Sequence, residues 1–226
     1  MSQQFKHLAD LIQIATKLHV ANINNKENYS VDEVYETDLQ IEDEKLNDII
    51  ISNNLSFQEQ VVLLLALAPY FSPQTLDIFL AKNPNFDVIC TEFGGVMQSP
   101  HRGVIPTGET AVFLLAARDF EKRKEVAACL LPDGVLSTNN LVDLEPVTIG
   151  SPVLSGKLVP HDELVQILMY GEIKPPKLSP SFPAQQLTTE MSWEDLIIPG
   201  NTRSQLTDLE NWLNYYDQLQ AHPELG

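Results

Sequence analysis

Gly103-Val-Ile-Pro-Thr-Gly108-Glu109-Thr110 has the spacing of a phosphate-binding loop, G-x-x-x-x-G-K-[ST], at every place but one. Such a loop cradles phosphates with successive backbone N–H groups, and its lysine supplies a cation to the β- and γ-phosphates. Here Glu109 stands in the lysine's place and would set a carboxylate against those phosphates, while Pro106 removes one N–H from the cradle. No clear strand pattern precedes Gly103. The eight residues therefore read as a helix start, with Thr107 as its cap and Gly108 as a permissive turn residue.

Other residues capable of chemistry are scattered. The five histidines, at 7, 19, 101, 161 and 222, show no H-x-x-x-H or other ligand spacing, and neither cysteine stands beside one. His161-Asp162-Glu163 groups three titratable side chains, but consecutive helix positions point in different directions, so a solvated helix start is the simpler reading. Cys90 and Cys129 have apolar neighbours and no C-x-x-C partner, which predicts buried free thiols in a reducing compartment. An acidic stretch, Asp32, Glu33, Glu36, Asp38, Glu42, Asp43 and Glu44, lacks the glycine that a calcium loop needs for its turn and reads as a solvated loop. Arg118, Lys122, Arg123 and Lys124 form the single basic cluster, with Asp119, Glu121 and Glu125 interleaved. Catalysis by groups brought together from afar, such as His101, Asp119 and Cys129, would require a pocket that spacing alone does not indicate.

The elements that position these residues follow from hydropathy patterning. Phe5, Leu8, Leu11, Ile12, Ala15 and Leu18 recur at helical spacing. Leu46, Ile49 and Ile50 suggest a short helix. Ser56-Phe-Gln-Glu59 ahead of an apolar run reads as a capping box that opens a buried helix ended by Pro69. Ser72-Pro73 opens another, with Leu76, Phe79 and Leu80 inward. Thr107 and Asp119 begin two more, the second broken at Pro132-Asp-Gly134. Period-two alternation over Leu141–Glu145 and Val153–Leu158 then predicts a β-hairpin around the turn at Thr148–Ser151. Pro160 precedes a short helix carrying Leu164, Ile167 and Leu168, which Gly171 closes.

Helices followed by a two-stranded wing and a last helix predict an α+β, mostly helical fold, with a winged-helix-like domain over 45–171 behind an N-terminal helix and acidic loop, 1–44. Residues 172–187, with Pro175, Pro176, Pro180 and Pro183, read as an extended linker. Over 188–226 the strand-like run Trp193–Ile198 precedes a turn at Pro199-Gly200. Thr202 and Gln205 then form a capping box for a helix with Leu206, Leu209, Leu213 and Tyr216 on one face.

Among 226 residues, 31 acidic and 14 basic side chains give a formal net charge of −17, a field that repels phosphate backbones and anionic lipid and argues against nucleic-acid and membrane partners. The N-terminus lacks a signal-peptide core and no apolar run is long enough to span a bilayer, so the expected location is cytoplasmic.

Three stretches resemble the N-terminal region of AAA+ ATPases found with bacterial contractile injection systems: Gly103–Ala116, Leu144-Glu-Pro with Leu154-Ser-Gly156, and Phe182-Pro-Ala-Gln-Gln-Leu-Thr-Thr189 leading into Trp193-Glu-Asp-Leu-Ile-Ile-Pro199. The resemblance is best over the second half of the chain. It implies a regulatory or protein-adaptor region that leads into the first strand and helix of an AAA+ module and stops before the nucleotide-binding core.

By that resemblance Asp195, Leu196, Ile197 and Ile198 would lie beside adenine in the complete protein, although Leu196, Ile197 and Ile198 read equally as an ordinary buried strand. The Walker lysine, magnesium-binding acids, sensors and arginine finger have no counterpart in the chain, so it is expected to have no catalytic or metal-binding residues and no activity or cofactor of its own. ATP and magnesium are implied for the full-length parent only. Its partners would be its own downstream AAA+ core and protein components of an injection particle, with hexamers expected only for the parent. The alternative is a winged-helix DNA-binding regulator that uses the basic cluster.

Overall fold

The computed structural model describes residues 3–25, 39–83, 88–116, 119–174, 190, 192, 195 and 197–220. The chain divides into two compact units, 1–174 and 175–226. The first is α+β and mostly helical.

At its centre is α3 (Phe57–Phe71), whose residues from Val61 to Ala68 are all buried. A helix apolar on every side belongs inside a protein, and α1 (Gln3–Asn25), the 3₁₀ helix Pro73–Leu80 and α4 (Gly108–Ala116) all pack on it. On α1, Phe5, Leu8, Leu11, Ile12 and Ala15 are buried as their spacing predicts, whereas the side chain of Leu18 lies outside the described residues. The expected capping box is present: Ser56 Oγ accepts from the Glu59 N–H at 3.4 Å, and the Ser56 N–H donates to Glu59 Oε2 at 2.8 Å. Pro69 does not end the helix. It sits in the last turn, where continuing to Phe71 costs a single backbone hydrogen bond. The following segment is a 3₁₀ helix with Leu76 and Phe79 inward and Leu80 half-buried. Phe79, Phe93 and Phe113 form an aromatic cluster with centroids 4.9–6.3 Å apart, within the range of favourable edge-to-face geometry.

Asp43 caps α2 (Glu44–Ser52) by accepting from the Leu46 N–H, and Asp119 caps α5 (Phe120–Ala128) by accepting from Glu121 and Lys122. Patterning misses two small elements: the pair β1 (Lys82–Asn83) and β2 (Val88–Ile89), and the one-turn α6 (Val135–Thr138). The expected hairpin exists but its second strand is displaced. β3 (Val142–Leu144) pairs antiparallel with β4 (Leu158–Pro160), in the register Val142↔Pro160, Asp143↔Val159 and Leu144↔Leu158, while Val153–Ser155 forms a 3₁₀ turn. Pairing moves because Leu158 N–H donates to the Pro106 carbonyl at 2.9 Å, anchoring β4 to a segment distant in sequence. Then α7 (Asp162–Tyr170) ends on Gly171 at φ +82°, a left-handed cap that glycine adopts without Cβ strain.

In the second unit α8 (Gly200–Gln220) starts two residues before the expected Thr202 cap. Of the run 193–198 expected as a strand, Trp193, Glu194 and Leu196 lie outside the described residues. Asp195, Ile197 and Ile198 are not in strand conformation. A strand needs a partner for its backbone groups, and none pairs with these residues among the described ones. Most of the expected linker, 175–187, and the acidic residues 32–38 also lie outside the described residues.

Candidate functional site

The start of α4 gathers segments from across the sequence. Thr107 N–H donates to Thr110 Oγ1 at 3.0 Å, so the side chain one turn on receives the cap residue's own N–H. The Thr107 hydroxyl instead accepts from Gly95 N–H, also at 3.0 Å, a departure from the simple cap expected there. Gly108 N–H donates to the Gly156 carbonyl at 3.0 Å, and Val96 and Ile105 exchange two backbone hydrogen bonds. Contacts around the glycines are tight. A Cβ on Gly94, which has φ +61°, would lie 2.7 Å from Thr107 Oγ1 and 2.8 Å from Thr110 N. One on Gly108 would stand 2.9 Å from the Leu154 carbonyl oxygen, and one on Gly156 would run into the Glu145 carbonyl. Two of the sequence stretches that carry the family resemblance, 103–116 and 144–146 with 154–156, thus meet here.

This packing leaves no phosphate cradle. Protein atoms cover the helix start on the Gly94 side and the Leu154 side, and both oxygens of Glu109 lie 2.7 Å from Arg123 Nη2. The place of a Walker lysine therefore holds a carboxylate already paired with arginine.

Sequence reasoning missed a second constellation. His161 Nε2 lies 2.8 Å from Asp143 Oδ2, and Ser137 Oγ donates to Asp143 Oδ1 at 2.5 Å. The residue types match a hydrolytic triad, but the order does not. Nucleophile activation needs imidazole between hydroxyl and carboxylate, so that it can take the hydroxyl proton. Here the carboxylate stands in the middle and joins α6, β3 and the start of α7. Spacing offered no signal, because Asp143 and His161 meet only through the hairpin register. His161 does not work through its neighbours Asp162 and Glu163, both exposed.

A groove of about 370 Å³ opens between the end of α3 and β4, lined by Pro69, Tyr70, His101, Ile105, Val159 and Pro160 among others. Its walls are mainly apolar, and its volume falls in the range of small-ligand or side-chain pockets, about 300–1,000 Å³. At its edge Lys157 bonds Gln98 Oε1 at 2.8 Å and pairs with Glu145 at 2.9 Å. His101 Nε2 is buried without a hydrogen-bond partner, and Gly103 is close enough that a Cβ there would lie 2.9 Å from it.

Of the four residues expected beside adenine, three are described. Asp195 accepts from Ser192 N–H at 2.7 Å and from Ser192 Oγ at 2.9 Å, and these hydrogen bonds hold its carboxyl below the usual range. Ile197 is fully exposed, Ile198 is half-buried and Leu196 lies outside the described residues.

Two residues of the basic cluster pair with local acids: Arg123 with Glu109, and Lys124 with Glu121 at 2.8 Å while lying over the Phe120 ring. Arg118 is outside the described residues. Cys90 and Cys129 are free thiols as expected, but half-buried rather than buried. Among the described residues no group of three or more His, Cys, Asp or Glu could hold a metal ion, and no single helix is long and apolar enough to cross a membrane. Comparison with protein-family models, with curated proteins and with solved structures finds no match to this chain.

Proposed function

We propose that this chain is the N-terminal regulatory and protein-adaptor region of an AAA+ ATPase like those that assemble or operate contractile injection particles, with residues 45–171 acting as a winged-helix-like docking module. The observation that carries the proposal is the junction at the start of α4. Stretches that resemble the ATPase family's N-terminal region, widely separated in sequence, contact one another there through Gly108 and Gly156. The hairpin β3–β4 takes the part of the wing, and the groove beside β4 offers a mainly apolar surface suited to a protein side chain. In this reading 188–226 leads toward the ATPase core, with Asp195 to Ile198 acquiring an adenine only in the complete protein. ATP, magnesium and hexamer formation belong to that parent.

The test begins with the coding sequence downstream of Gly226, which should encode an AAA+ core. The extended protein should hydrolyse ATP with magnesium, and deleting 1–174 should leave hydrolysis in place while abolishing engagement of injection-particle proteins. Unchanged engagement, or the absence of such a core, overturns the proposal. The DNA-binding alternative demands the opposite electrostatics: association with duplex DNA that weakens steeply with salt. The net charge of −17 and the Glu109–Arg123 and Glu121–Lys124 pairs speak against it.

A further inference from the structure

A second, smaller cavity of about 200 Å³ lies between the start of α1, the start of α2, the end of α3 and α7. Two polar residues, Gln4 and Asp43, reach it. Gln4 is 5% exposed, and its Oε1 is buried without a hydrogen-bond partner. Asp43 stands exposed at the rim; its Oδ1 caps α2, and its carboxylate brings a negative charge. Phe5, Leu46, Leu67, Phe71 and Leu168 complete the walls, with the Phe5 and Phe71 rings stacked 6.0 Å apart. Among the described residues, none that lines the space is basic.

A buried acceptor left unpaired is unfavourable, so its persistence favours an occupant that brings a hydrogen-bond donor. The rim carboxylate, the aromatic faces and the acidity of the whole chain favour a positive one. At roughly 30 Å³ per water-sized group the cavity holds about six or seven such groups, and aliphatic walls suit a slim hydrocarbon stem. We propose that this cavity binds an unbranched primary alkylammonium group. The ammonium donates to Gln4 Oε1, its stem lies against Phe5, Leu46, Phe71 and Leu168, and Asp43 supplies the counter-charge. Such a group is carried both by small free amines and by the lysine side chain of a partner protein. The inference rests on the cavity alone and does not depend on the adaptor reading.

Binding to the full chain can be followed by NMR shift titration with three probes: n-pentylammonium, the neutral isostere n-pentanol, and Nα-acetyl-lysine N-methylamide. Pentylammonium should bind at least tenfold more tightly than pentanol. Gln4→Leu removes the acceptor at similar volume, and Asp43→Asn removes the charge while retaining an N-cap side chain. Each should weaken ammonium binding several-fold, and Asp43→Asn, which removes only the charge, should leave pentanol unaffected. Binding of both the amine and the lysine amide identifies a partner's lysine as the source, and binding of the amine alone identifies a small amine; either supports the site. Equal affinity for pentanol, unchanged ammonium binding in both variants, or no saturable binding overturns it.

Discussion

Gly108 and Gly156 are held in place by what their missing side chains would strike. An alanine at a helical glycine ordinarily gains about 0.5–1 kcal/mol. At Gly108 that gain competes with the Leu154 carbonyl oxygen 2.9 Å from the new Cβ, and overpacking of this kind costs about 1–3 kcal/mol. The clash wins, so Gly108→Ala should lower stability by roughly 1–2 kcal/mol, and Gly156→Ala, whose Cβ runs into the Glu145 carbonyl, by about 3 kcal/mol. Urea unfolding of both variants gives the values, and an unchanged midpoint for Gly156→Ala would show that the junction relaxes freely. Cys129 adds a pH-dependent term. Burial first, then the charge of Glu59, pushes its thiol above the free-thiol range. The fold thus prefers the neutral thiol, and this contribution to stability is complete below the ordinary thiol pKa and lost as pH rises through the raised one. Alkylation of Cys129 by iodoacetamide, followed by mass spectrometry against pH, should have a higher midpoint in the folded chain than in urea; coincident profiles would refute the shift.

The separate elements differ widely in what supports them. In α5 only Val126 is buried, so its stability rests heavily on its ends. Asp119→Ala removes an acceptor from two N–H groups at 2.9 and 3.1 Å and should cost about 1 kcal/mol, whereas Asp119→Asn should retain most of the cap. Comparing the thermal midpoints of the two variants separates the hydrogen bonds from the charge. By contrast, α8 is longer but leaves Leu209, Trp212 and Leu213 at least half exposed. A helix gains most of its stability from packing an apolar face, and one of about 20 residues is marginal without it. Amide hydrogens over 204–214 should exchange well before those of Val61–Ala68 in α3. Equal protection would mean that the exposed face is covered in solution.

Over the whole molecule, charge is the dominant collective property. A net −17 opposes compaction through self-repulsion, while pairs such as Glu109–Arg123 act in the other direction and weaken in salt as well. With 31 acidic against 14 basic residues, repulsion outweighs the pairs. Raising ionic strength from about 0.01 M to 0.15 M shortens the screening length from roughly 30 to 8 Å, and should raise the thermal midpoint at neutral pH. A falling midpoint in calorimetry would show that local ion pairs dominate.

Sequence alone determined the features that depend on neighbours a few residues away. The apolar stripe of α1, the Ser56–Glu59 capping box, the Asp119 cap and the Gly171 terminator are local arrangements, so side-chain type and spacing were enough to reveal them. The carboxylate of Glu109 at the lysine's place in the loop-like run Gly103–Thr110 is likewise visible without coordinates. Tertiary structure decided where partners come from elsewhere in the chain. The Pro106 carbonyl, more than fifty residues away, sets the position of β4; hairpin register brings Asp143 to His161; and packing leaves Gln4 buried in the lining of a cavity. Helical continuity could carry α3 through Pro69 because only one hydrogen bond was lost. Strand pairing, glycine contacts and cavities have no periodicity of their own: they arise from the meeting of separate segments, which only the folded chain specifies.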